Sequence, residues 1–264
     1  MLPDFEMVCH QIPTPDPITI IPVFDVHLGS RECMEKEFAD FVEWVRNTPN
    51  TFVVLGGDLI DNGLKNSLTN VYRAVYSPST QKKLMANLLS PIRDRILCCI
   101  DGNHERRSNR EVDDSPCRDI MAKLDLEHLH RENMAFLKVQ IGKGIESRAN
   151  SIYRPIYTFC VCHGAGGGML PGGVINRNER TAYAIEGIDA LIVGHSHKPM
   201  MSQPGRIVVD SVRNKVSVVP FKVISATSWL SYGDYAAQKM LLPTSHCLQK
   251  IILSAYKKEM VVTM

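Results

Sequence analysis

Phe52-Val53-Val54-Leu55-Gly56-Gly57-Asp58-Leu59-Ile60-Asp61 is the stretch that decides how this chain is read. It opens with an apolar run too short for an independent helix, the pattern of a strand buried on both faces. Two glycines end the run, where they permit a tight turn and the close approach of another group. Asp58 is thereby left at the carboxyl end of a buried strand, the position where open α/β sheets collect ligands. One such aspartate carries little weight. Its recurrence elsewhere in the chain carries the reading.

Upstream, Ile18 to Phe24 is apolar and β-branched and runs into Asp25-Val26-His27-Leu28-Gly29. Pro22 within it points to an edge position or a bulge. Phe38, Phe41, Val42 and Val45 recur at helical spacing over Glu32 to Arg46, which completes a β–α–β unit with parallel strands. Downstream, Leu64 to Leu89 reads as one or two helices interrupted near Ser77-Pro78. Arg95 to Ile100 reads as a third buried strand, ending in Asp101-Gly102-Asn103-His104-Glu105. Asn109 to Leu126 is polar first and helical later. Ala135 to Ile141 and Tyr157 to Cys162 are strand-like, with Gly142-Lys143-Gly144 as a turn between them, and the second strand ends in His163-Gly164. Ala165 to Gly173 is glycine-rich; it reads as a surface loop rather than a phosphate cradle, because no lysine accompanies the glycines. A polar helix around Asn178 to Glu186 precedes the buried run Ala190 to Val193, which ends in Gly194-His195-Ser196-His197. Beyond Pro199, Arg206 to Val209 and Val216 to Val219 predict a hairpin, and Phe221 to Ser225 and Lys250 to Leu253 predict further strands.

The bulk properties set limits on function. The 264 residues hold ample material for a core, and the formal net charge of +2 provides no global basic field for nucleic acid. No apolar run approaches the roughly 20 residues of a membrane span, and the N-terminus lacks the order of a secretory signal. The eight cysteines fall largely in apolar runs such as Cys98-Cys99 and Cys160-Val161-Cys162, so most are expected to be reduced, in a cytoplasmic protein. One domain over 1–264 is expected, with 1–17 as a proline-rich extended arm. Residues 206–264 would supply second-sheet strands and a C-terminal segment.

Five strand ends therefore carry Asp25/His27, Asp58, Asn103/His104, His163 and His195/His197. Carboxylate, imidazole and amide oxygen are ligands suited to divalent manganese, iron, zinc or nickel. Paired metals bridged by a carboxylate are suited to in-line displacement at phosphorus. Asp25 and His27 are two residues apart, so their side chains converge only if the strand turns there. His10, His128, His130 and His246 lie outside this order and read as ordinary hydrogen-bonded residues. Trp229, Tyr232 and Tyr235 could stack on a base or serve as core between two sheets.

The series Asp25-x-His27, Gly57-Asp58-x-x-Asp61, Gly102-Asn103-His104-Glu105, His163-Gly164 and Gly194-His195-Ser196-His197 resembles the calcineurin-like metallophosphoesterase superfamily. The resemblance covers Ile18 to about Pro199. It implies an α/β fold, a four-layer αββα sandwich of two mixed sheets flanked by helices. It also implies two divalent metal ions, manganese foremost: Asp25, His27 and His197 hold one, Asn103, His163 and His195 the other, and Asp58 bridges them. His104 would contact the phosphate and assist the leaving oxygen, while a metal-activated hydroxide attacks phosphorus. Asp61 and Glu105 would orient ligands, and Arg106, with Arg107 beside it, would meet a substrate phosphate or lie in solvent.

The expected activity is hydrolysis of a phosphoester, with a phosphodiester favoured because His104 can protonate a poor leaving group. A nucleotide or nucleic acid would fit, and nuclease action of the Mre11/SbcD type is the alternative. A non-catalytic protein-binding scaffold on the same fold is the alternative from another class, disfavoured by the complete ligand set.

Overall fold

The computed structural model describes residues 3–65, 67, 71–142, 145–146, 152–166, 170–233, 236–237, 240–243 and 245–264. In chain order the first half contains β1 (Val8–Ile12), β2 (Ile18–Val23), α1 (Glu35–Asn47), β3 (Thr51–Leu55), α2 (Pro78–Leu89) and β4 (Ile96–Ile100). There follow α3 (Glu105–Val112), α4 (Pro116–Lys123), β5 (His130–Arg131), β6 (Met134–Ile141), β7 (Ile145–Glu146), β8 (Ile152–Tyr153) and β9 (Ile156–Cys162). The last part contains α5 (Pro171–Tyr183), β10 (Ala190–Val193), β11 (Met200–Ser202), β12 (Gly205–Asp210) and β13 (Lys215–Pro220). It ends with β14 (Lys222–Ser225), β15 (Lys250–Leu253) and β16 (Met260–Thr263).

Two six-stranded mixed sheets form the body, one in the order β16-β15-β2-β3-β4-β5 and the other β1-β6-β9-β10-β14-β11. They pack face to face through contacts of β4 with β1 and β6. One apolar cluster runs between them, from Ile20, Val54 and Cys98 in the first sheet to Leu137, Val161 and Ile192 in the second. Helices α1 and α4 cover the first sheet and α5 covers β10 and β14 of the second, giving the expected α/β sandwich. The strands that bear the motif residues are neighbours and parallel: β2, β3 and β4 in one sheet, β9 and β10 in the other. Their carboxyl ends consequently open onto one edge of the sandwich.

Several local expectations are corrected. Pro22 lies in a strand flanked on both sides, not at an edge. Thr19 N–H donates toward β3 and Val23 accepts from it, so Pro22, one residue out of phase, faces β15 instead. The β15 ladder ends at Ile20, so no hydrogen bond is lost there. Within the stretch read as an arm, Val8–Ile12 is a parallel strand on the edge of the second sheet, paired with β6. The segment 206–264 is divided: β14 joins the second sheet, β15 and β16 join the first, and β12–β13 form the predicted hairpin as a separate pair.

The helix expected near Asn178 begins earlier, at Pro171, because proline suits the first helical position and Val174, Asn178 and Ala182 form a buried stripe. Gly172 and Gly173 sit in its first turn rather than in a loop. Residues 167–169 of that loop, the turn residues Lys143 and Gly144, and Tyr235 lie outside the described residues. The helical region after His104 likewise starts early, at Glu105, and breaks at Asp113, whose φ is 55°. The interruption at Ser77-Pro78 is a helix start, with Ser77 Oγ accepting from Thr80 N–H at 3.4 Å.

Candidate metal centre

The strand-end loops adopt backbone that few L-residues tolerate. Asp25, His27, Asp58, His195 and His197 have φ of 53°, 51°, 51°, 63° and 54°. Left-handed backbone costs roughly 1–2 kcal/mol per residue, with aspartate and histidine among the more tolerant types. This conformation solves the convergence problem of Asp25 and His27, since the chain turns at both positions. The loops are also zipped together: Asp25 N–H donates to Gly57 O at 3.1 Å and His27 N–H to Asp58 O at 2.9 Å. Gly57 has φ of +86°, and a Cβ there would run into the backbone of Gly102, so these two loops touch only because both residues are glycine.

Each carboxylate of the pair is anchored on one oxygen by a backbone N–H and turns the other to the imidazoles. Asp58 Oδ1 accepts from the His104 backbone N–H at 2.8 Å, and Asp25 Oδ2 accepts from the His195 N–H at 2.8 Å. Asp58 Oδ2 then faces Nε2 of His163, His27 and His104 at 3.2, 3.8 and 3.9 Å. Asp25 Oδ1 faces Nε2 of His197, His27 and His163 at 3.3, 3.9 and 3.9 Å. Asn103 Oδ1 lies 3.0 Å from His163 Nε2. The structure thus gathers Asp25, His27, Asp58, Asn103, His104, His163, His195 and His197 around one point.

Second contacts fix the rings. His163 Nδ1 lies 2.8 Å from Gly56 O and His104 Nδ1 lies 2.6 Å from Asp61 O. A carbonyl only accepts, so both Nδ1 atoms carry hydrogen and both Nε2 atoms face the cluster. Glu105 is buried, with Oε2 accepting from Asp58 N–H at 2.8 Å and Gly102 N–H at 2.9 Å, and Oε1 from Ile60 N–H at 3.2 Å. It ties the β3 and β4 loops together. Arg106 Nη2 donates to Asp101 O at 3.0 Å, and Arg107 Nη1 to Ser67 Oγ at 3.4 Å.

The electrostatics reflect crowding of opposite charges out of water. Burial works to raise the Asp25 and Asp58 carboxyls, but the surrounding imidazoles, His197 and His163 foremost, hold Asp25 below its ordinary value and Asp58 well below. Burial opposes charge on His163, yet Asp58 and Asp25 raise it to about 10. His197 is likewise raised, by Asp25 against its burial. His27 and His195 are lowered by burial and by neighbouring histidines. Burial also raises Asp61 and, with Asp58 and Asp101 nearby, pushes Glu105 up to about 8.

These residues fit a divalent cation. Asp25 Oδ1 and His27 Nε2 are buried with no hydrogen-bond partner. Three groups of donor atoms, Asp25/His27/His197, His27/Asp58/His104 and Asp58/His163/His195, each lie within 4.8 Å of one another. Carboxylate and imidazole in that proportion suit first-row divalent metals.

Residues the sequence did not flag complete the setting. Asn62 is buried, with φ of 45°, and its Nδ2 donates to His104 O and Ser108 Oγ, both at 2.8 Å. Gln81 Oε1 accepts from Asn62 N–H at 2.9 Å. An asparagine after Asp61 was the one visible signal for the left-handed position. Three of the four histidines outside the motifs are hydrogen-bonded as expected: His10 contacts Leu97 O, His130 pairs with Asp101 at 2.9 Å, and His246 contacts Ser228 O, while His128 is exposed. Trp229 is buried against Phe38 and Phe41 of α1, each at 5.0 Å, so it is core beneath a helix and not between the sheets. All eight cysteines are free. Among the described residues no helix is long and apolar enough to cross a membrane.

Known proteins resemble this chain in part or over most of its length. Residues 25–199 match the family described as "Calcineurin-like phosphoesterase". The small subunits of DNA polymerase II from Pyrococcus furiosus and Pyrococcus abyssi are each 28% identical over 123 residues, covering 39% of this chain and 19% of theirs. The chain therefore spans about a fifth of the length of these curated relatives. Among solved structures, calcineurin-like phosphoesterase YfkN from Bacillus subtilis is 12% identical with a TM-score of 0.41, over 94% of this chain and 91% of that one. A metallophosphoesterase from Sphaerobacter thermophilus is 14% identical with a TM-score of 0.37, over 89% and 83%. With the family match extending over more than half of its length, the chain belongs to the calcineurin-like phosphoesterases.

Proposed function

We propose that the chain is a dinuclear metal-dependent phosphoesterase with a preference for phosphodiesters. Asp25, His27 and His197 would hold one divalent ion, Asn103, His163 and His195 the other, and Asp58 would be shared. The observation that carries the reading is the convergence of imidazole Nε2 atoms on Asp58 Oδ2 and Asp25 Oδ1, with the opposite oxygen of each carboxylate already bound to a backbone N–H. Bound ions would supply charge neutralisation at phosphorus and acidify water toward neutral pH.

The chain's own residues have separable tasks. His104, oriented by Asp61 O, turns Nε2 toward the cluster, where its protonated form can donate to a departing oxygen. Glu105 holds the loop bearing Asp58 and the loop bearing Asn103 in register. Arg106, half-buried beside the cluster with His163 and Cys162, would meet a substrate anion.

Hydrolysis of bis-p-nitrophenyl phosphate and p-nitrophenyl phosphate with added manganese, on wild type and His104→Ala, tests this. Manganese-dependent turnover of the diester, reduced at least about 100-fold in the variant, is expected. Absence of turnover on both esters in a metal-loaded wild type would replace the reading with a protein-binding scaffold. Nuclease action is the second reading; the partial likeness to small subunits of DNA polymerase II supports DNA as its substrate and nothing finer. It requires turnover of DNA in the same assay.

A further inference from the structure

Beside the cluster, sharing His163 with it and reaching the helix-covered face of the second sheet, lies a cavity of about 250 Å³. Cys162, Leu191 and Val193 form its floor, α5 contributes Arg177 and Asn178, and Arg106 closes the side toward β4. The cavity adjoins the cluster directly, because His163 lines the one and belongs to the other. Its chemistry differs from that of the cluster. Two guanidinium groups line it and no carboxylate does.

Both arginines are held by neutral carbonyls. Arg106 Nη2 donates to Asp101 O at 3.0 Å and Glu132 O at 3.4 Å, and Arg177 Nη1 donates to Gly166 O at 2.9 Å. Neither makes an ion pair among the described residues, and Arg106 Nε is buried with no acceptor. Asn178 is 4% exposed and lines the same space. Buried polar groups are ordinarily satisfied, and an unsatisfied one costs about 1–3 kcal/mol. Two guanidinium groups with no carboxylate beside them, one with a buried Nε that lacks an acceptor, suit an anion with several acceptor oxygens, and guanidinium suits phosphate best. The volume is below the roughly 300 Å³ at which pockets for whole drug-sized ligands begin, so it suits a charged group rather than a nucleoside.

We propose that this cavity is a second phosphate subsite, which receives a phosphate flanking the scissile one and makes the substrate a polyanionic nucleotide or oligonucleotide. The inference rests on the phosphoesterase reading and gives that site a substrate class. Arg177 is a specificity residue here, on α5 and outside the cluster of candidate ligands, and Arg106 and Asn178 act with it.

The test compares wild type, Arg177→Gln and Arg177→Lys on three manganese-supported substrates: bis-p-nitrophenyl phosphate, thymidylyl thymidine, and the same dinucleotide bearing a 5′-phosphate. Arg177→Gln should raise KM for the 5′-phosphorylated dinucleotide about tenfold or more and leave kcat within about twofold. It should leave both substrates without the extra phosphate unchanged, and Arg177→Lys should recover part of the loss. Inorganic phosphate titrated calorimetrically into metal-free protein should bind wild type and lose about tenfold in affinity in Arg177→Gln. Equal effects of Arg177→Gln on all three substrates, or phosphate binding indifferent to it, would overturn the subsite while sparing the phosphoesterase reading. A metal-loaded wild type that hydrolyses none of the three would overturn that reading, and this substrate assignment with it.

Discussion

His163 and Gly56 meet across the seam between the two sheets, the imidazole Nδ1 2.8 Å from the carbonyl oxygen. That contact decides which nitrogen of the ring is offered to the cluster. Gly56 belongs to the loop that carries Asp58, so this bond, together with that from His195 N–H to Asp25 Oδ2, sets the strand ends of the two sheets against each other. The Nε2 left facing inward lies 3.2 Å from Asp58 Oδ2 and 3.0 Å from Asn103 Oδ1. An imidazole nitrogen and two oxygen acceptors at those distances require a positive centre among them, supplied by a proton or by a metal.

Metal should therefore stabilise the fold as well as the site. Manganese at a hundredfold excess over its Kd should add about 2.7 kcal/mol to stability, read as a rise in Tm. Asp58→Asn removes the shared charge while keeping an oxygen for the His104 N–H, so the variant should fold and lose most of that rise. A Tm shift of equal size in Asp58→Asn would place the stabilising ion elsewhere.

Glu105 acts by holding backbone. Its carboxyl accepts from three N–H groups in two loops. Glu105→Gln puts an amide N–H against one of those donors and should lower stability by about 1–3 kcal/mol, measured by urea denaturation. Metal affinity should fall in parallel, because the same N–H groups position Asp58 and Gly102.

A pH effect is expected far from the cluster, at His10 on β1. Its Nε2 lies 2.7 Å from Leu97 O, and burial lowers its pKa below 6.5 despite that hydrogen bond, with His128 adding to the effect. A histidine depressed in the folded state contributes stability that is complete above about pH 6.5. That contribution is lost as pH falls through the lower folded value. Urea midpoints compared at pH 8 and below pH 6 should show a smaller acid-side loss for His10→Gln than for wild type. An identical loss would remove His10 from the account.

Trp229 separates core from ligand contact. Packed on Phe38 and Phe41, it has no face left for a base. Trp229→Ala should cost about 3–5 kcal/mol, the range for a large aromatic in a core. KM at a temperature where the variant stays folded should be unchanged. A selective rise in KM for nucleotide substrates would restore the stacking role.

The legibility of this chain in its sequence follows from how local each feature is. Asp25, Asp58, Asn103, His163 and His195 each follow an apolar run, so strand and candidate ligand could be read from a few adjacent residues, and the strands are where expected. Pro22 misled because its tolerance depends on where a strand more than two hundred residues away stops pairing. Residues Val8–Ile12 looked like an arm because prolines flank them, while their partner β6 is remote in sequence. Gly172 and Gly173 argued against helix locally, and the buried stripe of α5 overrode them. Asn62 and Gln81 were silent because their partners, His104 O and the Asn62 N–H, come together only in the folded chain.

The most direct test of the central claim is metal content. Protein loaded with manganese and freed of excess by gel filtration should carry about two ions per chain by elemental analysis, and Asp58→Asn should lose at least about one of them. One ion or fewer in wild type, or a content unmoved by Asp58→Asn, would contradict a dinuclear centre built on these strand ends.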